Sequence, residues 1–400
     1  MTLPAFTGSF TQQAPVPEEA IMAAVAVMRS GRLHRYNLAP DEVGEVMALE
    51  REFADWQGAR FCLATASGGQ AMQIALRAAG VQAGDAVLTN GFTLAPVPGA
   101  VAAVGARAVL VEITADLVLD LNDLARKANE SGARHLLLSH MRGHLCDMDR
   151  LTKIAGDLGL TVIEDCAHTM GAWWNGRRSG AFGLAGCFST QTYKHMNSGE
   201  GGLLTSDDPG FMARATILSG SYMMYERHGA GPGEDAYADV RLDMPNTSAR
   251  LDNLRAALLR PQLRAIEANI AAWNARHDLI AARLRTCQAI RLPHRPTEES
   301  YVGSSIQFLV PGITQAAAKG LVARLARNGV ELKWFGAADP VGFTSAHPSW
   351  RYIGQQDLPA TDEILAGLFD MRLPLTFSLG DCHLIADHIL QEVAGIGVRA

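Results

Sequence analysis

The sequence predicts an α/β protein: a mostly parallel sheet of seven strands flanked by helices, followed by a smaller α+β region. Three observations lead there. Seven short apolar runs fall at 61–66, 86–89, 108–113, 135–139, 160–163, 186–189 and 202–205. Most of them show no polar alternation, as expected of strands buried on both faces. Helical patterns at 70–79, 121–130 and 149–158 separate several of the runs, which is the spacing of a helix-flanked sheet. After about residue 250 the texture changes. A long helical stretch covers 249–284, interrupted by Pro261, and shorter strands at 304–310 and 330–334 and a helix over 361–369 follow. The expected division is a large domain over 1–250, with an N-terminal arm over 1–40, and a small C-terminal domain over 251–400.

In the arm, Pro4 and Pro15 break regular structure. Pro17 followed by Glu18 and Glu19 suits a helix start, and Gly31 suits its end. Asp41 is expected to cap a second helix, with Glu42 and Glu45 in its first turn, where the helix dipole favours negative charge. Gly44 three residues on excludes a capping box.

Composition narrows the function. Of 400 residues, 48% are hydrophobic and 19% charged, an ordinary globular balance. The net charge is −6 with no block of Lys or Arg, so nucleic acid is not an expected partner. The most apolar stretch, 97–111, is too short to span a bilayer and is broken by Pro98, Gly99, Gly105 and Arg107. The first residues lack the basic-then-apolar pattern of a secretory signal, so the expected location is cytoplasmic. The six cysteines are scattered with no CxxC pair, which disfavours zinc ribbons and iron–sulfur clusters. His140 and His144 stand past a strand end rather than on a helix face, and neither Cys146 nor Asp147 completes a ligand spacing, so no metal is expected.

Three segments carry chemistry. In Val162-Ile-Glu-Asp165-Cys-Ala-His168 an apolar strand runs into two carboxylates. Ligands bind beyond the carboxyl ends of strands in such sheets, which places Asp165 at a ligand, although a helix-capping role fits the same pattern. In Ser189-Thr-Gln-Thr-Tyr-Lys194-His-Met-Asn-Ser-Gly199-Glu-Gly-Gly202 one lysine follows a strand end. No carboxylate or arginine between Thr190 and Ser198 is there to pair with it, and the glycines allow close backbone approach. In Ala64-Thr-Ala-Ser67-Gly68-Gly69-Gln70 a strand turns directly into a helix, whose first N–H groups suit a phosphate.

Taken in order with Gly143-His-Leu-Cys-Asp-Met148, Arg250-Leu, Leu358-Pro and Arg372-Leu-Pro-Leu375, these segments resemble the DegT/DnrJ/EryC1/StrS aminotransferase family from about Ser30 to the C-terminus. The resemblance implies an aspartate-aminotransferase-like fold and pyridoxal 5′-phosphate as cofactor. It makes Lys194 the Schiff-base lysine and catalytic base, and Asp165 the partner of the pyridine nitrogen. Ser67, Gly68, Gly69, Gln70 and Ser189 match cofactor and phosphate contacts, and His168 lies beside the cofactor ring. Phe92 is the chosen ring-stacking side chain, with Leu94 as the alternative. Asn246, with Ser248 as the alternative, matches a residue that reaches across a homodimer interface. The implied substrates are an amino donor, glutamate or glutamine, and a keto group on a sugar, cyclitol or related metabolite.

The sequence also departs from the pattern: Ser219-Gly-Ser221-Tyr222 replaces an expected Arg-x-His-Gly, and Arg227-His-Gly229 comes late. Trp173, Trp174, Arg177 and Arg178 line or border the substrate side, and His34, Arg35 and Tyr36 contact substrate or pack their loop. The rival readings are a dehydratase of the same family, in which a histidine replaces the lysine, a regulatory homologue without turnover, and an unrelated doubly wound binding protein. His195 beside Lys194 makes the register worth checking.

Overall fold

The computed structural model describes residues 3–39, 42–342 and 344–396. Seven strands build the main sheet: β1 (Phe61–Thr65), β2 (Ala86–Asn90), β3 (Arg107–Val111), β4 (His135–Ser139), β5 (Thr161–Asp165), β8 (Ala185–Ser189) and β9 (Gly202–Ser206), with the two-residue ribbon β6 (Trp173–Trp174) and β7 (Arg177–Arg178) between β5 and β8. Their spatial order is β1-β9-β8-β5-β4-β2-β3. β9 runs antiparallel to both β1 and β8, and the remaining pairs are parallel. The seven expected runs are these seven strands. Their near-continuous burial explains why the sequence shows apolar blocks rather than alternation.

Helices cover both faces. One apolar layer joins Phe53, Leu136, Leu203 and Leu259, and the other joins Ile74, Leu76, Leu137 and Leu204. Leu136 and Leu137 are neighbours that point to opposite layers, as strand geometry requires. The helices Gly68–Ala78, Leu121–Ser131 and Met148–Leu158 fall where expected. The first helix is Glu18–Ser30 and ends on Gly31 in the left-handed region, φ 70°. The second is Glu45–Gln57 with Gly44 at its N-cap; the expected cap, Asp41, lies outside the described residues.

The C-terminal part holds a three-stranded antiparallel sheet of β11 (Ser305–Leu309), β12 (Lys333–Trp334) and β13 (Leu368–Arg372), with β13 in the middle. The two-residue β10 (Glu299–Ser300) pairs with the ribbon of the large part. Three expectations shift here. The long helical stretch divides at Ala265, into Asn253–Arg264 and Ile266–Leu284, rather than at Pro261. Pro261 stays inside the first of them, nine positions into the helix. The strand expected at 330–334 shortens to two residues. The helix expected over 361–369 is Pro359–Ala366, and β13 begins two residues later.

The chain's first residues pack on this second region. Phe6 and Phe10 meet Phe377 edge-on at 5.0 and 4.9 Å within the core of Ile306, Phe308 and Phe369. All six cysteines are free. Among the described residues no helix is long and apolar enough to cross a membrane.

Candidate active site

β1, β2, β4, β5 and β8 end on the same edge of the sheet, and a cavity of about 520 Å³ opens there. That is ample for a cofactor-sized ligand. Of the sequence-chosen residues, Ser67, Gly68, Gly69, Asp165, His168, Ser189 and Lys194 line it together.

Asp165 closes β5, beside Ser139 at the end of β4, with which it is in register. Its Oδ2 accepts from Ser139 Oγ at 3.0 Å and its Oδ1 from the Ala167 N–H at 3.1 Å. Ser139 Oγ accepts in turn from Thr93 Oγ1 at 2.7 Å, and the Asn90 side chain clamps the Ser139 backbone from both sides, at 2.9 and 3.0 Å. A relay from two neighbouring strand ends thus fixes the plane of the carboxylate.

Lys194 sits in the loop between β8 and β9. Thr190 and Ser198 tie the base of that loop: the Ser198 N–H donates to the Thr190 carbonyl, and the Thr190 N–H donates to Gly201. Lys194 Nζ lies 2.8 Å from His168 Nε2. Desolvation lowers the lysine pKa to about 7, with Arg142, Arg372 and Lys333 adding to the fall and Asp165 opposing it. Burial, then Lys194, Arg142 and Arg372, hold His168 well below its ordinary value. His168 Nδ1 receives the Arg142 N–H at a long 3.4 Å. The neutral tautomer that satisfies both contacts keeps its proton on Nε2, facing the lysine lone pair. His195, the neighbour in sequence, is buried elsewhere, bonded to Ser304 Oγ at 3.0 Å and edge-on to Trp273. The side chain that lines the cavity is therefore the lysine.

Ser67 caps the helix Gly68–Ala78, its Oγ accepting from the Gln70 N–H at 3.1 Å. Gln70 takes part through its backbone and is absent from the cavity lining. A Cβ on Gly68 would stand 2.8 Å from Ser189 Cβ, and one on Gly202 would stand 2.5 Å from the Ser67 carbonyl carbon. The glycines let the helix start, the end of β8 and the start of β9 close into one concave cradle, where first-turn amides have no helical partner.

The other choices resolve differently. Phe92 is not on the cavity, which corrects the expectation that it stacks on a ligand. It is 1% exposed and packs edge-on against Phe335 at 5.0 Å, among Ile113, Leu117 and Leu368. A large ring two residues past a strand end found apolar partners from the C-terminal part, which sequence spacing does not show. Leu94 lines the cavity instead. Asn246 is exposed and outside the lining, its Oδ1 accepting from the Ser248 N–H at 2.9 Å. Arg35 and Tyr36 pack their loop: Arg35 pairs with buried Glu50, and Tyr36 meets His228. The late Arg227-His-Gly229 thus serves this anchor. Arg178 lies over the Trp56 and Trp173 rings, away from the cavity lining. His140, Glu164 and Cys166 cluster below the site. Glu164 there accepts from His140 and from the Gly180, Phe182 and Gly183 N–H groups, a bonding pattern that serves the fold.

Sequence reasoning missed Ser139, Thr93, Arg142 and Arg372. Ser139 was findable by the same strand-end rule that marked Asp165. The arginines meet only through the docking of β13 against the large sheet, where Arg142 pairs with Asp370.

The family model for the DegT/DnrJ/EryC1/StrS aminotransferase family matches residues 17–389. The chain belongs to this family. It is 31% identical over 296 residues to 3-amino-5-hydroxybenzoate synthase of Amycolatopsis mediterranei, covering 72% of each chain. To L-glutamine:scyllo-inosose aminotransferase of Streptomyces griseus it is 34% identical over 274 residues, covering 68% of this chain and 61% of that protein. The crystal structure of a 3-amino-5-hydroxybenzoic acid synthase superposes with a TM-score of 0.82 at 25% identity, covering 98% of this chain and 100% of the other. The family is one of pyridoxal-phosphate-dependent transaminases, so the chain is a member of an enzyme family whose chemistry the cavity has to fit.

Proposed function

We propose that the protein is a pyridoxal-phosphate-dependent aminotransferase that moves an amino group from glutamate or glutamine to the keto group of a small metabolite. The observation that carries this reading is that Lys194, Asp165 and the Ser67–Gly69 cradle line one cavity. The residues fit the cofactor on three counts. The amine of Lys194 is close to half neutral near pH 7, so it can attack an aldehyde. Asp165 is held rigidly at the strand end, where it can hold the proton of a pyridine nitrogen. Ser67, Gly68, Gly69 and Ser189 form a cradle suited to a phosphate.

When bound, the cofactor would supply an electron sink for charge developing on the substrate carbon. The chain's own groups do the rest. Lys194 Nζ, with its pKa near neutrality, takes and returns the proton. His168 Nε2 orients that amine from 2.8 Å. Leu94, Pro96 and Val97 close the cavity with apolar surface that keeps water away.

The identity of the acceptor is open between classes: one relative is named for an aminohydroxybenzoate, the other for a cyclitol ketone. The dehydratase reading requires a histidine in place of Lys194, and His195 lies in a different pocket. We further propose that two copies assemble, with Asn246 or Ser248 reaching the other subunit. In support, both are exposed, and Ile21, Met22, Tyr222, Met223 and Leu242 leave apolar surface uncovered. The chain is proposed to divide into units over 1–250 and 251–400, with its first residues docked on the second unit.

The test is spectroscopic. Protein loaded with pyridoxal phosphate should show the visible band of a lysine-bound cofactor, and glutamate or glutamine should bleach it. An unchanged band in Lys194→Ala removes Lys194 from this role. Protein that never colours removes the whole reading.

A further inference from the structure

β13 alternates. Phe369 and Met371 enter the C-terminal core, so Asp370 and Arg372 stand on the opposite face. The register sets Lys333 of β12 and Gln307 of β11 across from Asp370, and Ser305 across from Arg372. One face of this small sheet is therefore polar, and it fronts the active-site cavity, where Arg372 forms part of the lining. Ser305 and Arg372 also line a smaller extension of it beside Lys194.

Arg142 comes to the same wall from the large sheet. It lines both spaces, and its guanidinium pairs with Asp370 at 2.8 Å. Its backbone is strained, with φ at 56°. Such a conformation in a non-glycine residue persists only where its surroundings hold it, and it is typical of ligand-facing positions. Arg142 is 6% exposed, and its buried Nε has no hydrogen-bond partner among the described residues.

Arg142, Lys333 and Arg372 all act with Asp370, while Glu331 also lies near Lys333 and the Arg372 guanidinium stands 3.8 Å over the Tyr193 ring. Asp370 is fully buried and also accepts from Gln307 Nε2 at 2.8 Å. The other carboxylates of the lining are occupied or remote: Asp165 is held by Ser139 and Ala167, and Glu200 is exposed on the Gly199 turn. Arg142 is nearly fully buried at the cavity with an unpartnered Nε among the described residues and shares the lining with a second guanidinium, an arrangement suited to an anionic ligand. The planar donor forks of arginine match a carboxylate two oxygens at a time.

We propose that Arg142 and Arg372 form a carboxylate-binding wall, and that the keto acceptor of this enzyme carries a carboxylate. The proposal rests on the transaminase reading, because donor and acceptor then use one cavity in turn. The amino donor also has carboxylates, so the test separates the two sources.

Glutarate, a dicarboxylate with neither amine nor ketone, is titrated by calorimetry into cofactor-loaded protein. Binding is expected to weaken at least tenfold in Arg372→Gln and by less in Arg372→Lys, with the visible cofactor band unchanged. Equal affinity in wild type and Arg372→Gln overturns the carboxylate wall. For the acceptor, the amine form of the enzyme is mixed in single turnover with keto sugars and keto cyclitols in pairs, with and without a carboxylate. The carboxylated member should react at least tenfold faster, and Arg372→Gln should erase that preference. Neutral members that react as fast as carboxylated ones in the wild type overturn the acceptor assignment and leave the wall to the donor. The underlying transaminase reading fails by a different signal, the absence of a visible band or its persistence in Lys194→Ala.

Discussion

The protein buries charge in two places and resolves it in two ways. Around Glu50, every charge finds its partner inside the chain. Arg35 bonds both carboxylate oxygens at 2.8 and 2.9 Å, the Ala64 N–H adds a third bond at 2.7 Å, and His228 closes against Arg35 and Tyr36. Neither Arg35 nor Glu50 lines the active-site cavity. Around Lys194, burial is only partial and the bonding is not complete: the amine meets a neutral histidine, and open space adjoins it. A satisfied cluster holds the fold together; an unfinished one beside a cavity is built for a ligand.

Removing the key residue of each cluster should separate the roles. Lys194→Ala is expected to lower transamination on the order of 10³-fold, about 4 kcal/mol in barrier, while leaving the urea midpoint nearly unchanged. A midpoint that falls together with activity would make Lys194 structural and erase the contrast. Glu50→Ala should do the reverse. It strands a buried guanidinium, so about 3–5 kcal/mol of stability is lost, while the folded fraction still takes up cofactor. Urea unfolding and the visible band, read on the same samples, check both.

The two clusters also differed in how far the sequence revealed them. Asp165, Lys194 and Ser67–Gly69 follow strand ends, a position marked by a local change from apolar to polar residues. The Arg35–Glu50 pair joins a loop to a helix, and nothing local links the two. Arg142 and Arg372 were hidden for a similar reason: their meeting depends on how the C-terminal sheet docks. β13 left a readable alternation, Phe369-Asp-Met-Arg372, but the helix pattern just before it invites an extension over the same residues. Phe92 shows the opposite error. An aromatic near the right place in sequence was claimed by the core, and the smaller Leu94 faces the cavity.

The cradle can be probed more gently. A Cβ on Gly68 meets Ser189 Cβ at 2.8 Å, whereas one on Gly69 comes no nearer than 3.7 Å, to Ser67 Oγ. Gly68→Ala should therefore cost about 1–3 kcal/mol of overpacking and weaken pyridoxal phosphate binding. Gly69→Ala should gain up to about 1 kcal/mol, because a helical position prefers alanine. Equal effects of the two, in melting temperature and in cofactor affinity, would show that helix and strand end do not need their close approach.

The smallest effect is the most specific to the lysine environment. Only the neutral amine of Lys194 attacks an aldehyde, and its pKa is lowered to about 7, by desolvation first and by neighbouring cations second. The rate of cofactor uptake should therefore rise roughly fivefold from pH 6 to pH 7, then less than twofold to pH 8, as the neutral fraction saturates. A lysine in water would instead gain about tenfold in each step, since its pKa lies near 10.4. Removing a nearby positive charge favours the protonated amine, so Arg372→Gln should move the plateau to higher pH. A profile that stays put would mean that Arg372 does not act on the amine, and that the wall and the lysine titrate as separate sites. The satisfied cluster around Glu50 offers no such shift: Glu50→Gln should leave the uptake profile where it was, because no charge of that cluster figures among the causes of the lysine's depression.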